Sequence, residues 1–169
     1  METTLLVHVV REPRQLLVGA ALMLVTAIIQ TFGVVALEEF VERVRDPIAR
    51  DTTRTRMLLA LCAVIVYLFA LHLGEMCLWA ALYLPLAGYQ SFAVAMYESA
   101  LAFTTMDVAE LPPDWKFLSA AEGVTGLLMF AWSTGVLFNQ TSWLTDARRK
   151  YLRKHHLYGA KDREPAPES

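Results

Sequence analysis

Residues 97–116 read YESALAFTTMDVAELPPDWK, and how this stretch is interpreted decides what the rest of the chain is for. It lies between two long apolar segments and is too short and too polar to be a third. Residues 97–103 favour helix, Thr104 and Thr105 follow, and an acidic stretch carries Asp107, Glu110 and Asp114 before Pro112 and Pro113 stop any helix. A short helix, a threonine pair, irregular backbone and another apolar helix make the layout of a re-entrant loop. Non-helical backbone at membrane depth is tolerated only where it is buried in protein or lines a water-filled cavity. The expected fold is all-α: three transmembrane helices plus a re-entrant pore helix and filter loop, with the rest of the chain as scaffold.

Composition agrees. Of 169 residues, 56% are hydrophobic and only 19% charged, with a mean hydropathy of +0.39, a membrane composition rather than that of a soluble domain. Cys62 and Cys77 fall on one predicted helix, too far apart along it to pair, and are expected to be small buried apolar residues.

Residues 1–14 form a short extracytoplasmic segment. Its arginines precede an apolar run, but that run exceeds the ~7–15 residues of a signal h-region, so no cleavage is expected. Residues 15–37 carry no charge and match the roughly 20 apolar residues a spanning helix needs. Residues 38–56 hold five arginines and five acids. Phe40, Val41 and Val44 continue a helical spacing, so this linker is expected to be interfacial. Pro47 should break it, and Asp51, Thr52 and Thr53 offer N-caps for the next helix.

A pore domain is expected over residues 57–138: an outer helix at 57–85 ended by Pro85 and Gly88, a pore helix at 90–105, a filter loop at 104–114 and an inner helix at 117–138. Residues 139–169 read as a basic juxtamembrane segment and a disordered tail. Residues 38–56 and 139–169 contain twelve of the fifteen Lys and Arg. The excess of positive charge in cytoplasmic loops therefore predicts a multi-pass inner-membrane protein with its N-terminus outside, its C-terminus cytoplasmic, and the loop on the outer side.

Residues 86–116 contain four acids, Glu98, Asp107, Glu110 and Asp114, against a single Lys116. Copies gathered about an axis would make the outer vestibule negative, and rings of Asp or Glu select cations. Thr104 and Thr105 offer hydroxyl and carbonyl oxygens to an ion, and a ring of Asp107 carboxylates would give the oxygen-only ligands that suit Ca²⁺ or Mg²⁺. Glu75, Glu98 and Glu122 fall at one depth, and intramembrane acids are functional candidates by default. Their expected task is support of the loop, by hydrogen bonds to its backbone or to each other. His72, one turn from Glu75, is expected to be its hydrogen-bond partner. Val124, Leu127, Ala131 and Gly135 form one stripe of the last helix that could line a pore. Gly123, Gly126 and Gly135 suit either a hinge or close helix packing.

From about Leu58 to Phe138, roughly half its length, the chain resembles the pore domain of the bacterial two-transmembrane potassium-channel superfamily. The matching parts are an outer helix, a pore helix ending in Thr-Thr, an acidic loop, and an inner helix reading SAAEGVTGLLMFAWSTGVLF. That family's filter has the form Thr-Thr-x-Gly-Tyr-Gly-Asp. Thr104, Thr105 and Met106 match its first three positions, while Asp107-Val108-Ala109-Glu110 stands where Gly-Tyr-Gly should follow. The resemblance implies a homotetramer that conducts cations passively, without a cofactor. The departure implies altered selectivity, because glycines permit the backbone angles that aim carbonyls at an ion, which Val108 and Ala109 do not readily take. The expectation is a weakly selective or divalent-permeable channel for Na⁺, K⁺, Ca²⁺ or Mg²⁺, with Thr104, Thr105, Met106, Asp107 and Glu110 along the ion path.

Two other functions fit the same residues: a non-conducting channel-like subunit that modulates a partner, and a small proton-coupled carrier using Glu75, His72 and Glu122. Arg148, Arg149, Lys150, Arg153 and Lys154 would sit against anionic lipid head groups. The run is short and juxtamembrane, so nucleic acid is not an expected partner. An enzyme is not expected, since no nucleophile–base pair, phosphate loop or zinc-type Cys/His cluster occurs.

Overall fold

A computed structural model of the chain describes residues 13–50 and 54–161, with side chains placed for residues 13–44 and 55–153. The segment 1–12, the N-cap candidates Asp51, Thr52 and Thr53, the Lys154 side chain and the tail beyond 161 lie outside this description. Four helices follow in order: α1 (Pro13–Arg50), α2 (Arg54–Ala87), α3 (Phe92–Phe103) and α4 (Lys116–Lys161), the last entered through a 3-10 turn at Pro113–Trp115. No strand occurs among the described residues. Three stretches, Pro13–Val44, Thr55–Ala87 and Pro113–Arg153, are helical, long and apolar enough to cross a membrane.

The helix ends differ from expectation at both prolines. Pro47 does not break α1, which runs on to Arg50, and Pro85 does not end α2, which continues to Ala87. Each proline sits in a last turn, where its missing N–H removes one hydrogen bond close to an end that frays anyway. Gly88 stops α2, with φ +66°, the left-handed cap that only glycine adopts without cost. The last helix does not stop near Phe138 but runs on to Lys161, carrying the expected juxtamembrane segment as helix.

Side-chain contacts give the helix directions. Gln15 meets Phe117, Gly19 lies against Ala121, and Gln30 meets Ser133, so α1 and α4 run parallel. Trp79 donates to Thr26 and Tyr67 to the Gly33 carbonyl, so α2 is antiparallel to α1. The start of α1, the end of α2 and the start of α4 therefore share one end of the bundle, here the loop end. The opposite, basic end carries Arg43, Arg56, Arg148, Arg149, Lys150 and Arg153.

Helix α3 starts and finishes its excursion at the loop end. Ser91 caps it by accepting from the Val94 amide, so it begins at Phe92, two residues after the expected start. It buries Ala95, Ser99, Ala102 and Phe103 between α2 and α4. The Phe103 ring reaches those of His72 and Phe130, at 6.0 and 5.6 Å. His72 lies about 22 Å down α2 from Ala87 at 1.5 Å per residue, so α3 descends well into the bundle and residues 104–115 climb back. The larger core cluster, with Trp79, Tyr83, Phe103 and Leu118 fully buried, surrounds this helix.

Cys62 corrects one expectation: it is exposed on the outer face of α2, whereas Cys77 is half-buried with its thiol 3.8 Å from the Met96 sulfur.

Candidate functional site

The threonine pair is, first, a helix cap. The Thr105 amide donates to the Ala102 carbonyl at 3.0 Å and the Met106 amide to the Leu101 carbonyl at 2.9 Å. Both are Schellman bonds, with Thr105 at the position that calls for a left-handed residue. Its φ is indeed +57°, a conformation that costs a residue with a Cβ about 1–2 kcal/mol. The Thr104 hydroxyl donates back to the Ala100 carbonyl at 2.6 Å.

Residues 104–111 then use every amide they have. The Thr104 amide donates to the Ala100 carbonyl and that of Asp107 to Leu101. Val108 donates to the Asp107 carboxylate at 2.8 Å, Ala109 to the Ser119 hydroxyl at 2.8 Å, and Glu110 to the Glu98 carboxylate at 3.0 Å. Leu111 donates to the Ala109 carbonyl, and Pro112 and Pro113 have no N–H to place. The acceptor side is different. Among the described residues, the carbonyls of Thr105, Met106, Asp107 and Val108 accept no hydrogen bond, and these four residues are exposed. The loop's amides are all used within the chain, while four carbonyls on exposed residues accept no hydrogen bond among the described residues. Ala109 and Leu111, both buried, pin its return limb to the core.

Two glycines of α4 seat this arrangement. A Cβ on Gly126 would come 2.0 Å from the Phe103 carbonyl oxygen, and one on Gly123 would lie 3.2 Å from that of Ala102. Both are packing glycines beneath the C-terminus of α3, while nothing approaches Gly135 within 4 Å.

Of the three acids expected to support the loop, Glu98 alone reaches its backbone, and no two of them bond each other. Tyr89 completes that clamp by donating to the Glu110 carbonyl at 2.7 Å. Burial, with the Glu98 and Glu110 carboxylates beside it, pushes the Tyr89 hydroxyl up to about 12. Glu122 holds α3 rather than the loop. Its Oε1 lies 2.5 Å from the Ser99 hydroxyl, which is also 3.0 Å from the Met76 carbonyl oxygen. One hydroxyl proton cannot serve two acceptors; the count closes when the Glu122 carboxyl brings the second proton.

Glu75 belongs to a separate chain at the bundle centre. Gln30 donates to Ser133 Oγ at 3.0 Å, Ser133 lies 3.0 Å from His72 Nε2, and His72 Nδ1 lies 2.8 Å from Glu75 Oε2. With the ring proton on Nδ1, donation runs in one direction from α1 through α4 to α2, and each bond polarises the next. All four residues are buried. Such interhelical bonds are worth about 0.6–2 kcal/mol each in a bilayer, where apolar burial no longer drives helices together. Glu75 Oε1 and Gln30 Oε1 stay without a partner among the described residues.

Asp107 and Glu110 are exposed, Thr104 is half-buried, and Met106 is 78% exposed. Val124, Leu127, Ala131 and Gly135 all lie on the exposed face of α4. No group of three or more His, Cys, Asp or Glu that could hold a metal occurs among the described residues, so a metal-binding ring at Asp107 would have to come from several chains. Sequence reasoning missed Ser99, Ser119, Ser133 and Tyr89. For the three serines the signal available was that a hydroxyl inside an apolar helix needs a partner, and each found one on another element; Tyr89 lies in the turn between α2 and α3 and gave no such signal.

Comparison of the chain with protein-family models, with curated proteins and with solved structures finds no match.

Proposed function

We propose that the chain is the subunit of a tetrameric cation channel, with α3 as a re-entrant pore helix and residues 104–110 lining the narrow part of the ion path. The observation that carries this reading is the asymmetry of the loop. Irregular backbone at membrane depth requires its N–H groups to be satisfied internally, and residues 104–111 do so. What remains on exposed residues is a set of oxygen acceptors: the carbonyls of Thr105, Met106, Asp107 and Val108, and the Asp107 carboxylate. The C-terminus of α3 adds the negative end of a helix dipole, worth up to about half an elementary charge. An exposed surface of acceptors on a helix C-terminus favours cations.

The depth agrees. An excursion of about 22 Å would carry the tip of α3 past the middle of a hydrocarbon core of roughly 30 Å. The excess of basic residues at the opposite end supports placing that end in the cytoplasm and the loop outside. In this arrangement the exposed stripe of Val124, Leu127, Ala131 and Gly135 faces the axis below the loop. Asp107 supplies the carboxylate ring in place of stacked glycine carbonyls, which favours weak selectivity or passage of divalent ions.

The test is reconstitution of the purified protein in liposomes and measurement of K⁺, Na⁺ and Ca²⁺ flux under an imposed gradient. Flux for at least one of them, from protein that runs as a tetramer, is the expected result. Absence of flux for all three from folded tetramer would overturn the proposal in favour of a non-conducting subunit.

A second reading rests on the chain from Gln30 through Ser133 and His72 to Glu75, which joins three helices and in which Ser133, His72 and Glu75 are able to pass a proton. A proton-coupled carrier would show saturable, pH-gradient-driven flux that His72→Ala abolishes, whereas a channel's flux would not saturate in that way.

A further inference from the structure

Near the basic end, α1, α2 and α4 line an open-sided apolar cavity of about 490 Å³, within the roughly 300–1,000 Å³ range of ligand pockets. Its walls include Leu37 and Val41 of α1, Ala63 and Tyr67 of α2, and Leu144 of α4, and Arg56 contributes to the lining. Three properties of this cavity point to one class of occupant.

The first is length. Along α2 the lining extends from Arg56 to Tyr67, about 16 Å of helix, close to half of a roughly 30 Å hydrocarbon core. That is the depth of one leaflet. The second is polarity along the axis. At the deep end the Tyr67 hydroxyl is spent on the Gly33 carbonyl at 2.8 Å, and apart from the buried Gln140 the lining there is hydrocarbon and ring surface. At the shallow end stand the exposed residue Arg56 and the half-buried Trp143, whose amphipathic ring favours the membrane interface. The third is charge. Arg148, Arg149, Lys150 and Arg153 belong to the same end, and basic residues beside a membrane draw anionic head groups. With Gln140 as the polar side chain left in the deep part, water finds few partners there, and an empty cavity would forfeit dispersion contacts along its walls.

We infer that this cavity holds one acyl chain of an anionic phospholipid from the leaflet at the basic end, with the lipid phosphate at Arg56. The site joins α1, the helix outside the two-span plan, to α2 and α4, so its occupancy fixes how that extra helix packs. The inference stands whether or not the chain conducts.

Native mass spectrometry of the full chain, delipidated in detergent and then supplied with phosphatidylglycerol or phosphatidylcholine, tests it. One phosphatidylglycerol per chain is expected to bind about fivefold more tightly than phosphatidylcholine, the effect of one basic residue at an anionic head group. Arg56→Gln should erase that preference while leaving chain binding, and Ala63→Phe, which fills the cavity, should remove both lipids. Helix content and melting temperature of each variant show that it folds. Equal affinity for the two lipids would overturn the inference. So would binding that survives Ala63→Phe, or a preference lost in Arg148→Gln/Arg149→Gln but kept in Arg56→Gln, which would place the lipid on the juxtamembrane surface.

Discussion

The carbonyl oxygen of Phe103 rests directly on Gly126, 2.0 Å from where a Cβ on that residue would be. This contact sets how close the C-terminus of α3 comes to α4, and so where the loop begins. Since the obstructing atom is backbone, it cannot be relieved by a rotamer change. Gly126→Ala should therefore lower stability by an amount typical of overpacking, about 1–3 kcal/mol, and displace the loop. Gly135→Ala has nothing within 4 Å and should be neutral or stabilising by up to about 1 kcal/mol through helix propensity. Melting of both variants in detergent, followed by tryptophan fluorescence, checks the pair. Equal effects would show that the seat is not at Gly126.

Thr105 occupies left-handed backbone that a Cβ disfavours. Thr105→Gly should raise the melting temperature, releasing about 1 kcal/mol, although the more flexible unfolded chain offsets part of the gain. If the left-handed turn is what aims the next carbonyls outward, cation flux survives this change, and Thr105→Pro, which excludes positive φ and removes the amide bonded to Ala102, abolishes it.

The clamp of Tyr89, Glu98 and Glu110 should be visible in a pH titration. Because the folded Tyr89 hydroxyl titrates at about 12 rather than near 10, the folded state favours its neutral form. Its contribution to stability is present below pH ~10 and is lost as pH rises towards 12. Ultraviolet titration of tyrosinate should show a late-titrating component that disappears in Tyr89→Phe. In Glu98→Gln, with the carboxylate gone, it should move to lower pH. A late component that persists undiminished in Tyr89→Phe would mean that the clamp is not formed.

Glu122 is bound by a hydrogen-bond count that favours a proton donor at its carboxyl. Glu122→Gln supplies an N–H in the same place and should be tolerated, whereas Glu122→Ala leaves Ser99 short of a partner and opens a cavity, costing about 2–4 kcal/mol. Equal destabilisation by both would indicate an ionised Glu122.

The long apolar runs made the three spans legible, although two of them carry a buried acid, Glu75 or Glu122, and the short run before Thr104 was legible as a helix too brief to be a fourth. The helix ends were not, because Pro47 and Pro85 sit where a proline removes only one bond. Nor was the cap at Thr105, since the pattern for such a turn asks for glycine and the chain uses threonine instead. Glu98 was legible as a support for the loop. The bond between His72 and Glu75 was legible from their three-residue spacing on a helix, but the loop-support task given to Glu75 and Glu122 came from depth alone, and depth does not distinguish a loop amide from Ser99. Ser119, Ser133 and Tyr89 carry no periodic signal, and only the tertiary arrangement shows that they close the donor account of the loop and the central chain.

Single-channel recording in planar bilayers, comparing wild type with Asp107→Asn, tests the central claim most directly. Cation currents are expected whose conductance and divalent permeability both fall in the variant, because neutralising one residue per chain removes the whole carboxylate ring from the ion path. Currents identical in the two proteins would contradict it and take Asp107 out of the mechanism.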